Sequence, residues 1–277
     1  MAITYYMLQV SPWFFFISIV LFGGLFGTLV TFLIRNFVKV KVLKSHNEVT
    51  GFLFLAISSF YSLLLSFVVF VVWGQYNETQ TIVNKEGSSA KGLYRDIKYY
   101  PDTVESKQLM VLYLDYVYHV IDEEFPNMEN RKLSKKAPEA FNRVFYKMEN
   151  LTPKNAFQTH LVAVMFNHLN ELSTYKELRS ASVEAEISPP LWLPIILGAI
   201  LVIICATLLD IEHSRFHMLL TAMLGGFIGM LLFTIIFLDH PFSGTQRIKP
   251  KLYNEIFVLE KWADELPSKN SAHITKF

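Results

Sequence analysis

Hydrophobic positions in this chain gather into four long blocks. No Asp, Glu, Lys or Arg occurs at residues 1–34, 49–77, 187–209 or 216–238. Each block meets the ~20 residues a helix needs to cross a ~30 Å hydrocarbon layer. The blocks are apolar on every side, which is the pattern of helices surrounded by lipid. They predict spans over about Trp13–Ile34, Val49–Val72, Leu191–Leu209 and Phe216–Leu238. Trp73 and Tyr76, at the end of the second, suit a water–lipid boundary. Ser188-Pro189-Pro190 discourages an incoming helix from running on into the third. Asp239-His240-Pro241-Phe242-Ser243-Gly244 breaks the chain after the fourth.

Between residues 75 and 188 the pattern becomes that of a water-soluble helical domain, with 14 Lys/Arg and 16 Asp/Glu. Leu109, Leu112, Tyr113, Tyr116, Val117, Val120 and Ile121 recur at helical spacing. So do Ala156, Phe157, His160, Leu161, Val164, Met165, Leu169 and Leu172, after a Pro153 that suits a first helical turn. Pro138 is expected to open a shorter helix through Phe141, Val144, Phe145 and Met148. No run alternates strictly enough for a strand. The expected fold is an all-α integral membrane protein: four transmembrane helices with a helical extramembrane domain inserted between spans two and three. Its divisions are 13–74 (spans one and two), 75–188 (a helical bundle continuous with the inner ends of spans two and three), 189–240 (spans three and four) and 241–277. The last is a polar tail with one short helix, about Tyr253–Leu266, and a loose end.

Composition sharpens this picture. Of 277 residues, 52% are hydrophobic and only 18% charged, below the ~25% of soluble domains. A net charge of +1 supplies no field for nucleic acid. The single cysteine, Cys205, lies in the third block and forms no intramolecular disulfide. The N-terminal region lacks the basic start of a signal peptide, so the first block is expected to be retained. Four spans put both termini and the 75–188 domain on one face. Arg35, Lys39, Lys41, Lys44 and Arg215 mark the opposite, connector face, which the positive-inside rule places in the cytoplasm; Arg247, Lys249 and Lys251 argue the other way.

Span two carries the most suggestive surface. Ser58, Ser62 and Ser66 recur every four residues beside Phe54 and Phe70. Small hydroxyls next to aromatic narrowings suit a pore lining; small residues at this spacing equally suit close helix packing. Gly23-x-x-x-Gly27 and Gly225-x-x-x-Gly229 fit packing better. Just before span two, His46-Asn47-Glu48 offers a helix cap at Asn47 and a dipole partner at Glu48, with His46 a gating candidate. Gln75, Asn77, Glu78, Asp239 and His240 share the other face and are candidates for a polar ring at a pore mouth. Asp122-Glu123-Glu124 is the densest acidic cluster and a weak cation candidate; three consecutive acids on a helix point in different directions, so a solvated helix end competes with it. His217, the one readily titratable residue within a span, is expected to bond a neighbouring helix. Walker, Gly-x-Ser-x-Gly and His-Glu-x-x-His motifs are absent, so no enzyme activity and no cofactor is expected.

Three segments together resemble a family. His46-Asn47-Glu48-Val49-x-Gly51-Phe52, Trp73-x-Gln75-Tyr76-Asn77-Glu78 and Leu238-Asp239-x-Pro241-Phe242-Ser243-Gly244, with Asp122-Glu123-Glu124-Phe125-Pro126, resemble the bacterial bestrophin-like membrane proteins. That resemblance implies remote kinship to bestrophins, which form pentameric anion channels around an axial pore lined mainly by span two. Carried over, it implies a homo-oligomer in a bacterial inner membrane, passing chloride or another small anion, with membrane lipid and copies of itself as partners. It also implies a cytoplasmic large domain, opposite to the connector charges. The acidic triplet is shorter than the run with which animal bestrophins bind calcium, so calcium gating is not implied. A different class stays open, a membrane-anchored interaction module whose 75–188 domain recognises a partner without conduction.

Overall fold

The computed structural model describes residues 11–37, 46–185, 187–244 and 247–270, with side chains as far as residue 261. Lys39, Lys41, Lys44 and the chain beyond Asn270 lie outside the described residues. Among the described residues every regular element is helical. In chain order these are α1 (Pro12–Phe37), α2 (Asn47–Lys98), α3 (Thr103–His119), a π-helical turn (Val120–Glu124), α4 (Phe125–Glu129) and α5 (Lys136–Glu149). Then follow α6 (Ala156–Ser182), α7 (Pro189–Thr207), α8 (Ser214–Leu238) and α9 (Lys251–Asn270). Four of them, α1, α2, α7 and α8, are long and apolar enough to cross a membrane. The chain divides into two compact units, residues 1–77 with 185–246 and residues 78–184 with 247–277.

In the first unit, α2 presents one line of buried side chains, Tyr61, Leu65, Val68 and Val72, at three- and four-residue steps. This line packs with Ile195, Ala199, Val202 and Ile203 of α7 and with Ile228, Ile235 and Leu238 of α8. Tyr61 lies against Gly198, where a Cβ would stand 2.4 Å from its ring. Its hydroxyl donates to the Ile195 carbonyl at 3.1 Å. Helices α1 and α8 run antiparallel and close together. A Cβ on Gly23 would sit 2.2 Å from the Gly225 carbonyl oxygen, and one on Gly27 would sit 2.3 Å from that of Thr221. Small residues are thus required by backbone-to-backbone approach, the expected reading of both Gly-x-x-x-Gly pairs. Thr31 adds a hydroxyl bond to Thr221 at 2.8 Å.

The second unit is a bundle of the later part of α2 with α3, α5, α6 and α9. Val83, Ala90, Leu93 and Ile97 of α2 meet a core of Leu109, Tyr113, Tyr116 and Val117 from α3 and Ala140, Val144 and Met148 from α5. Met165, Leu169 and Leu172 of α6 and Tyr253 and Ile256 of α9 complete it. Asp102 caps α3, accepting from the Val104 and Glu105 amides, and Asn155 caps α6, accepting from Gln158 N–H at 2.9 Å.

Several boundaries differ from the expected ones. Helix α2 does not end at Trp73-Gly74; apolarity stops there, but the helix continues to Lys98. A lone helical glycine costs only about 1 kcal/mol, and the buried residues beyond it hold the extension. Helix α6 starts after Pro153, at Ala156, and in its first turns Ala156, Phe157 and His160 of the expected apolar line are exposed while Gln158 is buried. It ends at Ser182, before the Pro189-Pro190 start of α7, so span three is not continuous with it. The polar tail carries α9, whose Tyr253 and Ile256 are wholly buried in the second unit, with Lys91–Glu255 bridged at 2.6 Å.

The glycine seam makes an asymmetric forecast. Gly23→Ala is expected to destabilise the detergent-solubilised protein by about 1–3 kcal/mol through overpacking. Gly226→Ala, whose Cβ would meet Val20 at an ordinary 3.5 Å, is expected to leave the melting temperature unchanged or raise it. Thermal melting of both variants tests this difference.

Candidate functional site

An α-helix turns 400° in four residues, so a row at that spacing drifts by about 40° per step. The row Phe54, Ser58, Ser62, Ser66, Phe70 therefore does not keep one face. Phe54 packs against the protomer's own core, while Ser62 and Ser66 are exposed and Phe70 is 74% exposed. Ser58 sits between these extremes, its hydroxyl buried without a hydrogen-bond partner. Around the outward side, Ser66 and Phe70 are joined by Phe52, Ser59, Leu63 and Phe67, all exposed. Ser59 and Ser62 donate to carbonyls of their own helix, Leu55 at 2.7 Å and Ser59 at 2.9 Å. Lipid contact is thereby tolerated, and the oxygen lone pairs stay available to a solvated surface.

The polar residues near the helix ends mostly tie backbone together. Asn47 forms a two-point clasp on Asp210: its amide donates to the Asp210 carbonyl at 2.9 Å and its oxygen accepts from the Asp210 N–H at 2.8 Å. This is a different job from the expected cap on its own helix, and it joins the start of α2 to the α7–α8 connector. Glu48 lies in the first turn of α2, as expected of an acid near a helix N-terminus, and His46 is exposed. Asp239, 5% exposed, accepts from the Ile187 N–H at 2.8 Å and so fastens the entry to α7. His240 Nδ1 donates to the Ile236 carbonyl at 3.0 Å. Burial of Asp239 removes it from an exposed ring; Gln75 and Glu78 are exposed on α2, and Asn77 is half-buried. Gly244 has φ of 81°, a left-handed conformation that favours glycine in the turn after α8. His217 makes its inter-helix bond: Nε2–H donates to the Ala206 carbonyl at 3.0 Å, which leaves Nδ1 to accept from Arg35 at 3.2 Å.

The acidic triplet separates. Asp122 accepts from the Tyr118 hydroxyl at 3.1 Å, and Glu123 lies 3.4 Å from His119 Nδ1. Glu124 turns inward, 2% exposed, and meets Arg179 at 3.1 Å. The π-helical turn widens the helix over these residues, and the three carboxylates do not converge on a cation. Among the described residues no group of three or more His, Cys, Asp or Glu is arranged to hold a metal.

Glu124 instead belongs to a cluster that linear patterning did not reveal. Arg179 has no exposure and donates from Nε and Nη2 to Glu86 at 2.6 and 3.0 Å. The Tyr253 hydroxyl donates to the same Glu86 at 2.8 Å. The Phe125 ring lies 4.8 Å below the guanidinium, and Tyr116 sits beside Tyr253. Desolvation is the largest influence on Arg179 and opposes its charge, yet Glu86 and Glu124 together raise its pKa above the ordinary arginine value. Burial, then the charge of Glu86, holds the Tyr116 and Tyr253 phenols well above theirs; burial, then Tyr116, does the same at Tyr113. The only signal in the sequence was the helical register of Arg179, which places a charge on the line of Met165, Leu169 and Leu172.

These observations define an all-helical integral membrane protein with a helical extramembrane unit. The chain belongs to the bestrophin-like family, whose model, the bestrophin-like domain, matches residues 22–253. A crystal structure of a membrane protein shares the fold, with a TM-score of 0.59 at 12% identity, covering 87% of this chain and 95% of that one. No curated protein matches the chain.

Two outcomes follow from the buried cluster. Arg179→Met is expected to cost about 3–5 kcal/mol, because two carboxylates lose their buried counter-ion; denaturant unfolding measures it. At alkaline pH the three buried tyrosines keep their protons while an unfolded chain releases them near pH 10. Their stabilisation is therefore present below about pH 10 and falls as pH rises further, by about 1.4 kcal/mol per pH unit for each tyrosine. Tyr113→Phe is expected to make that fall shallower in unfolding curves taken between pH 9 and 12.

Proposed function

We propose that this protein is a homo-oligomeric ion channel, anion-selective, in which the outward side of α2 lines a central pore. The observation that carries the reading is the placement of Ser59, Ser62 and Ser66 away from the protomer's own core, among exposed Leu63, Phe67 and Phe70. A monomer gains nothing by presenting three hydroxyls to hydrocarbon, whereas around an axis they line a narrow path between apolar constrictions. Membership of the bestrophin-like family supports the same arrangement, with five copies by analogy. The face carries no charge, so hydroxyl groups and pore width, not a ring of arginines or lysines, would discriminate among ions, with chloride the expected permeant. Gln75 and Glu78 are the proposed polar groups at one mouth. The connector basic residues favour a cytoplasmic connector face and an external helical unit.

The test is chloride flux from liposomes holding the full chain, after Cys205→Ser leaves no other thiol. With single cysteines at Ser59, Leu63 and Ser66, a charged water-soluble thiol reagent is expected to cut flux about tenfold or more, and a cysteine at Leu65 is expected to be silent. Absence of flux together with particle images lacking an axial opening would refute the channel and leave a membrane-anchored interaction module.

A further inference from the structure

The two ends of the second unit treat their cations differently. Helices α2 and α3 run antiparallel: Ser106 Oγ donates to the Ile97 carbonyl at 2.6 Å, and the Tyr113 hydroxyl to the Ala90 carbonyl at 2.6 Å, seven residues further along each helix. At the end where α2 gives way to α3, Lys98 bridges Glu260 at 3.2 Å, Lys147 bridges Glu105 at 2.6 Å and Lys154 bridges Asp102 at 2.6 Å. In the other direction the same register brings Phe125 about level with Glu78, where α2 enters the unit six residues after Val72. The loop that follows α4 therefore lies at the end from which the chain passes to the spans. Arg247 marks the same end: it pairs with Glu129, the last residue of α4, and it is where the chain re-enters this unit, nine residues after α8 stops at Leu238.

Two segments meet there, and neither contains an acid. The loop carries Arg131, Lys132, Lys135 and Lys136, and the entering segment carries Arg247, Lys249 and Lys251. Ile248 is buried while its neighbours Arg247 and Lys249 are not. Of the nearby acids, Glu123 lies 3.7 Å from Lys136, Glu129 is held by Arg247, and Asp122 accepts from Tyr118. The exposed acids of this end, Glu78, Glu139 and Glu184, stand on helices outside both segments. Lys132, Lys135, Lys249 and Lys251 are exposed and meet no carboxylate among the described residues.

Between the cations of the loop stands Leu133, 52% exposed. The loop is a fixed turn. The Arg131 N–H donates to the Met128 carbonyl and the Lys132 N–H to the Asn127 carbonyl, both at 3.0 Å. Buried Ser134 accepts from the Lys136 N–H at 3.2 Å. A leucine is thus presented outward with a pair of basic residues on either side.

We propose that this loop, together with Lys249 and Lys251, docks on an anionic phospholipid surface, with Leu133 entering the headgroup layer between the lysines. Basic residues next to a membrane span are drawn to anionic lipid, and an apolar side chain among them adds burial at the headgroup boundary. A nucleic acid would match the charge but leave Leu133 without a role. The membrane that holds the spans is already joined to this end of the unit by the chain itself. The inference rests on the spans alone and not on conduction.

The experiment uses the full chain with Cys205→Ser and Leu133→Cys, the new thiol carrying an apolar, environment-sensitive dye in place of the leucine. The protein is placed in nanodiscs of phosphatidylcholine and phosphatidylglycerol in equal parts. One or the other lipid bears a spin label on the acyl chain beside the glycerol, which quenches a dye at that depth. Quenching by phosphatidylglycerol is expected to exceed quenching by phosphatidylcholine about fivefold, the preference that one lysine near an anionic surface supplies. Combining Lys132→Gln, Lys135→Gln and Lys249→Gln, all at exposed side chains, is expected to make the two lipids quench equally. Salt at about 1 M, where screening acts within ~3 Å, is expected to do the same. A dye at Tyr99→Cys, exposed at the opposite end of the unit, is expected to be quenched by neither. No quenching at position 133, equal quenching by the two lipids, or a preference that survives the three substitutions overturns the proposal. So does a larger change in emission when a short RNA is added to discs of phosphatidylcholine alone, which assigns the surface to nucleic acid, or particle images with the loop seated on another copy.

Discussion

Backbone hydrogen bonding in an apolar medium is the constraint on which the rest of this structure depends. Within lipid an unpaired N–H or C=O costs several kcal/mol, so each charge-free block must close its bonds within itself as a helix. Once the four blocks are helical, polar side chains have few places left. They occur where helices end or meet: Asn47 on the backbone of Asp210, Asp239 on the amide of Ile187, His217 between Ala206 and Arg35. Each of these joins helix ends or helices that are distant in sequence, and together they convert four separate spans into one unit.

The two units hold together by different physics. Lipid tails are as apolar as leucine, so hydrophobic burial does little to bind α1 to α8, and close contact between glycine backbones does the work instead. In the second unit the usual burial of apolar side chains applies, and it surrounds an ion cluster. A guanidinium gripped by two carboxylates adds little net stability against an apolar alternative, but removing one partner is costly. Such a cluster admits few alternative packings, since Glu86, Glu124, Arg179 and Tyr253 come from four separate stretches of chain that must all arrive together.

The segments that carry the family resemblance are largely structural junctions. Asn47 clasps a connector, Glu124 enters the buried ion cluster, and Asp239 with Gly244 shapes the turn after α8. They identify the fold because they are where the fold is fastened. The surface proposed to conduct lies instead on the outward side of α2, where serines and aromatic residues face away from every fastening contact.

Four helices long and apolar enough to span a membrane, an inserted helical domain and the small-residue character of α1 and α8 were legible in the sequence, because absence of charge over some twenty residues and glycine spacing are local, one-dimensional signals. The bond expected of His217 was legible too, since a polar group within a span needs a partner. Other features were decided only by the tertiary structure. Whether Gly74 ends a helix depends on what the following residues bury. Which of Asp122, Glu123 and Glu124 turns inward depends on a single π-helical turn. Whether Phe54 and Phe70 share a face depends on a 40° drift per four-residue step measured against a core built by other helices. The partners of Asn47, Asp239 and Arg179 lie between 52 and 163 residues away in the chain, and pairing at that range is set by three-dimensional packing, which local pattern does not encode.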